Sequence, residues 1–189
     1  MNLTRRTLTA GAFALATLMS PLAITAAHAE SRPERVADAV STLNKLEAEE
    51  PHSRWYARHA KGILVFPSVL KAGFVFGGET GNGVLLKGGK PAGYYNITGG
   101  SWGLQIGGQD FSYVLFFMTD GSLRYLDRSD GFAAGTGPSI VVINKGAAAE
   151  ANTTTLSHEV YAFPFNGKGL MADLTLQGTK ITRLHHHHD

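Results

Sequence analysis

The chain has 189 residues, with 17 lysines and arginines, 15 aspartates and glutamates, 23 glycines and no cysteine. A formal charge of +2 gives no basic surface of the kind nucleic acids require. The missing thiols exclude disulfides, thiolate metal ligands and acylation as a lipoprotein.

Residues 1–29 read as a secretory signal peptide. Arg5 and Arg6 precede an alanine-rich apolar run from Ala10 to Ile24, and Ala27-His28-Ala29 is a small-x-small cleavage signal. The run is too short and too alanine-rich for a retained transmembrane helix. Thr4-Arg5-Arg6-Thr7-Leu8 has the form of a twin-arginine export signal. The expected mature chain starts at Glu30, is exported to the periplasm or secreted, and forms one domain over residues 30–184. At about 160 residues it is long enough to bury a core alone. Without Arg5 and Arg6 it holds 15 basic against 15 acidic residues, a net charge of zero. The tail, residues 185–189, is His-rich; flexible terminal histidines bind metal without forming a site, so it carries no functional weight.

Glu34 to Glu50 reads as an amphipathic helix, with Val36, Ala39, Val40, Leu43 and Leu46 at three- and four-residue spacing. Pro33 sits near its start and Pro51 closes it. A membrane-surface helix wants a basic polar face. Residues 30–50 hold six acidic and three basic side chains, so the apolar stripe is assigned to core packing. A second short helical piece covers Ser53 to His59.

From Ile63 the pattern becomes β-rich: Ile63–Phe66, Gly73–Phe76, Val84–Leu86, Tyr94–Ile97, Leu104–Ile106 and Ser112–Phe117. Thr119 to Asp127 reads as one or two helical turns with Leu123 and Leu126 inward. Strands resume at Ser139–Ile143, Glu159–Phe165 and Leu170–Gln177. Closely spaced strands without long helices between them predict an α+β, mainly β fold. The expected form is a curled or barrel-like antiparallel sheet with an N-terminal helical segment. Gly77 to Gly83 (GGETGNG) reads as a hairpin or bulge, because Asn82-Gly83 is a strong turn dipeptide. Glycines within strands at Gly73, Gly103 and Gly107 point to tight curvature.

The glycine loops do not make a nucleotide or cofactor site. Gly78, Gly81 and Gly83 reverse the G-x-G-x-x-G order, a strand follows them, and no G-x-x-x-x-G-K-[ST] occurs. Gly99-Gly100-Ser101-Trp102-Gly103 satisfies G-x-S-x-G, which makes Ser101 a candidate nucleophile with His158 and Asp120, Asp127 or Asp130 as partners. A nucleophile elbow needs a strand-to-helix turn, whereas Leu104-Gln105-Ile106-Gly107-Gly108 alternates like a strand. His52, His59 and His158 show no metal-ligand spacing. Residues 52–90 set Arg54, Arg58, Lys61, Lys71, Lys87 and Lys90 against Glu79 alone, a candidate surface for an anionic partner.

Ala60–Pro67 (AKGILVFP), Lys71-Ala72-Gly73-Phe74, and Gly77-Gly78 with Gly81 and Gly83-Val84-Leu85 resemble the opening of the SYLF domain. Gly99-x-Ser101-x-Gly103-Leu104-Gln105-Ile106-Gly107 resembles its central motif. Phe111–Met118, Gly169–Ala172 and Gln177–Thr182 resemble its bacterial, exported branch. The motifs occur in order over essentially the whole of residues 30–184. Eukaryotic relatives bind phosphoinositide membranes, and some bind or bundle actin; bacterial members are named lipid-binding by homology. The resemblance therefore implies a non-enzymatic domain that binds an anionic lipid or membrane surface, here through Arg54, Arg58, Lys61, Lys71, Lys87 and Lys90. The expected protein is peripheral on a membrane of the cell envelope, with no catalytic residue, metal, cofactor, nucleotide or nucleic acid. The alternatives are a serine hydrolase using Ser101 and a structural or partner-binding periplasmic protein.

Overall fold

A computed structural model of the chain describes residues 31–73, 76–102, 107–128, 132–133, 136–144, 157–171, 176 and 178–184. The predicted signal peptide, the His-rich tail and the predicted strand Leu104–Ile106 lie outside the described residues.

Helix α1 (Arg32–Glu49) starts on a capping box. The Glu34 amide donates to Ser31 Oγ at 3.5 Å, and the Ser31 amide donates to Glu34 Oε2 at 2.8 Å. Ala39 and Leu46 are fully buried and Val36 and Leu43 partly so, whereas Val40 of the predicted stripe is exposed. A 100° step per residue carries Val40 to the edge of a face centred on Ala39. Helix α2 (Ser53–His59) follows with the predicted bounds. Its Tyr56 ring packs on Phe116, Tyr161 and Phe163 at centroid distances of 5.9, 4.7 and 5.3 Å.

The strands are β1 (Gly62–Gly73), β2 (Phe76–Lys87), β3 (Lys90–Trp102) and β4 (Gly107–Phe117). After helix α3 (Asp120–Arg128) come β5 (Phe132–Ala133), β6 (Ile140–Val142), β7 (Val160–Asn166), β8 (Gly169–Leu170) and β9 (Thr179–Arg183). They form one sheet in the order β5-β9-β3-β2-β1-β4-β7-β6, with β8 on β7. Its pairs are antiparallel except β6 with β7, and it curls into a half-barrel. The predicted fold class is thus borne out.

Several local readings change. Gly77 to Gly83 is the interior of β2, not a hairpin. The predicted strand Ile63–Phe66 is part of β1, which runs unbroken to Gly73; of the predicted strand Gly73–Phe76, Gly73 ends β1 and Phe76 begins β2, while Phe74 and Val75 lie outside the described residues. The short β5 and β9 were not predicted. Of the predicted strand Leu170–Gln177, Leu170 ends β8, and residues 172–175 and 177 lie outside the described residues.

Pro67 explains how β1 continues. A proline cannot donate to a ladder, so a central strand tolerates it at a bulge. The register of β1 slips there against both neighbours, between Val65 and Ser68 on β2 and between Phe66 and Val69 on β4. Plain alternation would turn Ser68 and Leu70 inward. The extra residue turns Val69 inward beside Phe66 and leaves Ser68 and Leu70 exposed. The Pro67 carbonyl accepts from Ser112 Oγ at 2.7 Å.

Both faces of the central strands are buried. The inner face gathers Leu64, Phe66, Val69, Leu85, Tyr95 and Ile97 with neighbours from β4, α3 and β9. The outer face sets Val65, Val84, Val114, Phe116 and Phe163 under α1 and α2. Double burial is why Ile63–Phe66 and Val114–Phe117 read as continuous apolar runs rather than alternating ones.

Inner-face glycines make the curl possible. A Cβ on Gly83 would lie 2.5 Å from the Phe66 ring, and one on Gly81 would lie 2.6 Å from the Ser68 carbonyl oxygen and 2.9 Å from Val69 Cγ2. These positions are filled by side chains reaching across from β1. Gly83→Ala is expected to destabilise the fold by about 1–3 kcal/mol through overpacking. Gly100→Ala, where a Cβ meets nothing within 4 Å, is expected to be nearly neutral. Urea unfolding of both variants checks the contrast.

Candidate functional site

The fold carries five of the six predicted cations to one end of the sheet. Arg54 and Arg58 are exposed, one turn apart on α2. The exposed Lys61 follows, its amide donating to the Phe117 carbonyl at 2.7 Å. Lys87 and Lys90 flank the β2–β3 turn, which needs Gly88 (φ 56°) and Gly89 (φ 76°). That turn lies beside the start of β1, since Ile63 pairs with Leu86. Helix α3 adds two exposed cations at the same end, Arg124 and Arg128, which the sequence reading missed. Their signal was the four-residue spacing within a predicted helix.

Lys87 is partly withdrawn from that set. Its Nζ lies 3.3 Å from Asp127 Oδ2, while Arg183 Nη1 lies 3.5 Å from Asp127 Oδ1. Tyr95 donates its hydroxyl to Asp127 Oδ1 at 2.8 Å. Burial, and then the bond to Asp127, push the Tyr95 phenol well above its ordinary range. One carboxylate therefore ties α3 to β2, β3 and β9.

Lys71 is not part of the group. It lies nine residues along β1 from Gly62, roughly 30 Å at the rise of an extended strand. There it is half-buried, opposite Gln109 on β4 and Glu79 on β2. Glu79 in turn faces Gly99, and Gly99 faces Thr179. A Cβ on Gly99 would sit 2.9 Å from Glu79 Oε1, so the glycine makes room for the carboxyl group. Glu79 is 8% exposed. Burial raises its pKa above the usual carboxylate range, and the charge of Lys71 pulls it partly back. The Tyr113 hydroxyl, buried and without a hydrogen-bond partner among the described residues, is pushed upward by burial and then by the nearby Glu79.

Ser101 lies near the end of β3. Its backbone is within β3, paired with Gly77, and its side chain lies outside the described ones. A nucleophile elbow needs a strand-to-helix turn after the serine; residues 103–106 lie outside the described residues, and the next described element is a strand, β4, from Gly107. His52 Nδ1 lies 3.0 Å from Glu50 Oε1, and His59 Nδ1 lies 2.7 Å from the Trp55 carbonyl to which it donates.

A curled half-barrel, clad by two helices outside and one inside, with a group of exposed cations at one end, defines the class of domain. Residues 98–187 match the family model Ysc84, described as a Las17-binding protein actin regulator. This part of the chain belongs to the SYLF family, as the motifs around Gly99–Gly107 and Gln177–Thr182 indicated. No curated protein is detectably similar to the chain.

Glu79 gives a pH test. A carboxyl group whose pKa is raised by folding contributes stability that is present below its unfolded value of 4.5. That contribution is lost as pH rises through the folded value. Glu79→Gln is therefore expected to melt higher than the wild type at pH 7, with the gap closing toward pH 4. Thermal unfolding over that range reads it, and an unchanged gap would remove the assignment.

Proposed function

We propose that the chain is a non-enzymatic, exported protein of the cell envelope that binds an anionic lipid surface peripherally. The observation that carries this reading is the gathering of exposed Arg54, Arg58, Lys61, Lys90, Arg124 and Arg128 at one end of the half-barrel. Membership of the SYLF family is compatible with it. No helix among the described residues is long and apolar enough to cross a membrane, and a peripheral protein needs none. Each cation near a charged bilayer contributes about 1 kcal/mol, screened over roughly 8 Å at physiological salt. Six weak contacts give useful affinity only together.

A second reading, a protein partner rather than a lipid, draws on the description of the family as Las17-binding and actin-regulating. It predicts retention of an envelope protein in pull-downs and no dependence on vesicles.

Co-sedimentation separates the two. The full chain is expected to bind vesicles containing anionic lipid at low salt, to leave them at about 0.5 M salt, and to ignore neutral vesicles. The paired variant Lys61→Gln/Lys90→Gln is expected to weaken binding several-fold, while Lys71→Gln leaves it unchanged. Absence from anionic vesicles at low salt overturns the lipid reading.

A further inference from the structure

Helix α3 borders an open groove of about 370 Å³ lined by Gly121, Arg124, Tyr125 and Arg128. Its walls are fixed. The Tyr125 ring packs edge-on against Phe132 at 5.7 Å, and its hydroxyl donates to the Thr136 carbonyl at 3.4 Å. Gly137 presses on the same ring, where a Cβ would come within 2.7 Å. Gly121 presents bare backbone on the groove; a Cβ there would still lie 3.7 Å from Thr119 Oγ1 and 3.9 Å from Glu159 Oε1.

The two guanidinium groups are available. Arg124 and Arg128 are exposed, and neither makes an ion pair with a carboxylate among the described residues. The acid beside them in sequence, Asp127, is held by Lys87, Arg183 and Tyr95. Glu159, which a Cβ on Gly121 would approach, accepts from Thr119 Oγ1 at 3.4 Å and from the Ser139 amide at 3.2 Å, and the exposed Asp120, one turn before Arg124, makes no ion pair among the described residues.

Residues four apart on a helix place their Cβ atoms about 5–6 Å from each other. Two planar forks at that separation fit one phosphomonoester, sharing its three terminal oxygens between them. A carboxylate has two oxygens, and one fork satisfies it. We infer that the α3 groove is a phosphate subsite, in which Arg124 and Arg128 together grip a phosphomonoester group of a lipid headgroup. The inference rests on the anionic-surface reading for the source of that phosphate, and deepens it. Arg58, Lys61 and Lys90 attract the charged surface; the α3 pair recognises a group within it.

The test compares vesicles carrying phosphatidic acid with vesicles carrying cholesteryl hemisuccinate at matched surface charge, using the full chain. The wild type is expected to bind the phosphate vesicles about tenfold more tightly. Arg124→Gln/Arg128→Gln is expected to lose that preference while keeping its binding to hemisuccinate. Lys61→Gln/Lys90→Gln should weaken both alike and keep the preference. Equal binding of the wild type to both vesicles, or a preference that survives loss of the arginine pair, overturns the subsite and leaves surface attraction standing. If neither vesicle is bound, the membrane reading falls, and inorganic phosphate followed by NMR of the arginine side chains decides the groove. Shifts confined to Arg124 and Arg128 then reassign it to a soluble phosphate, and unmoved signals overturn it.

Discussion

The inner face of the half-barrel rests on a complementarity between bare backbone and bulky side chains. Phe66 lies over Gly83, Val69 over Gly81, and the Glu79 carboxyl over Gly99. Strands that curl bring their inner Cβ positions together, and a row of full-sized residues on every strand would not fit. Removing alternate side chains on β2 lets those of β1 reach across the strand boundary. The bulge at Pro67 completes the arrangement, because it sets Phe66 and Val69 on the same face three residues apart. Inner core, curvature and the closing strand β9 all follow from these contacts.

A sheet buried on both sides keeps its charges at its ends. Helices α1 and α2 cover the outer face of the central strands, and α3 closes one end of the inner face. Asp127 fixes that closure by drawing Lys87, Tyr95 and Arg183 to one carboxylate. The same clamp uses up part of the positive charge and leaves Arg124 and Arg128 facing solvent. The other end of the sheet has a different character. Lys71 and Glu79 are paired across β1 and β2 beside a fully buried tyrosine hydroxyl, where burial favours the neutral acid.

Much of the fold was legible because it depends on short-range chemistry. The stripe of α1, the short α2 and the inward Leu123 and Leu126 of α3 all follow from spacing along the chain, whereas α1 starts at Arg32 on a capping box, two residues before the predicted Glu34. GGETGNG reads as a hairpin or bulge because Asn82-Gly83 favours a turn locally. Tertiary packing overrode that preference, since the glycines are needed opposite Phe66 and Val69. The basic residues were legible as a group in sequence but not as a surface. Lys71 was separated from the others by the length of β1, and α3 supplied two arginines from outside the stretch.

The sequence by itself determined the helical start, the mainly β body, the glycine-spaced motifs of the SYLF family and the charge imbalance between residues 30–50 and 52–90. Those features are fixed by composition and by the periods of helix and strand. The tertiary structure alone decided which glycines lie under which side chains, which cations share an end, and which of them Asp127 neutralises. Each of those depends on strand register and on residues distant in the chain, and no local pattern encodes them.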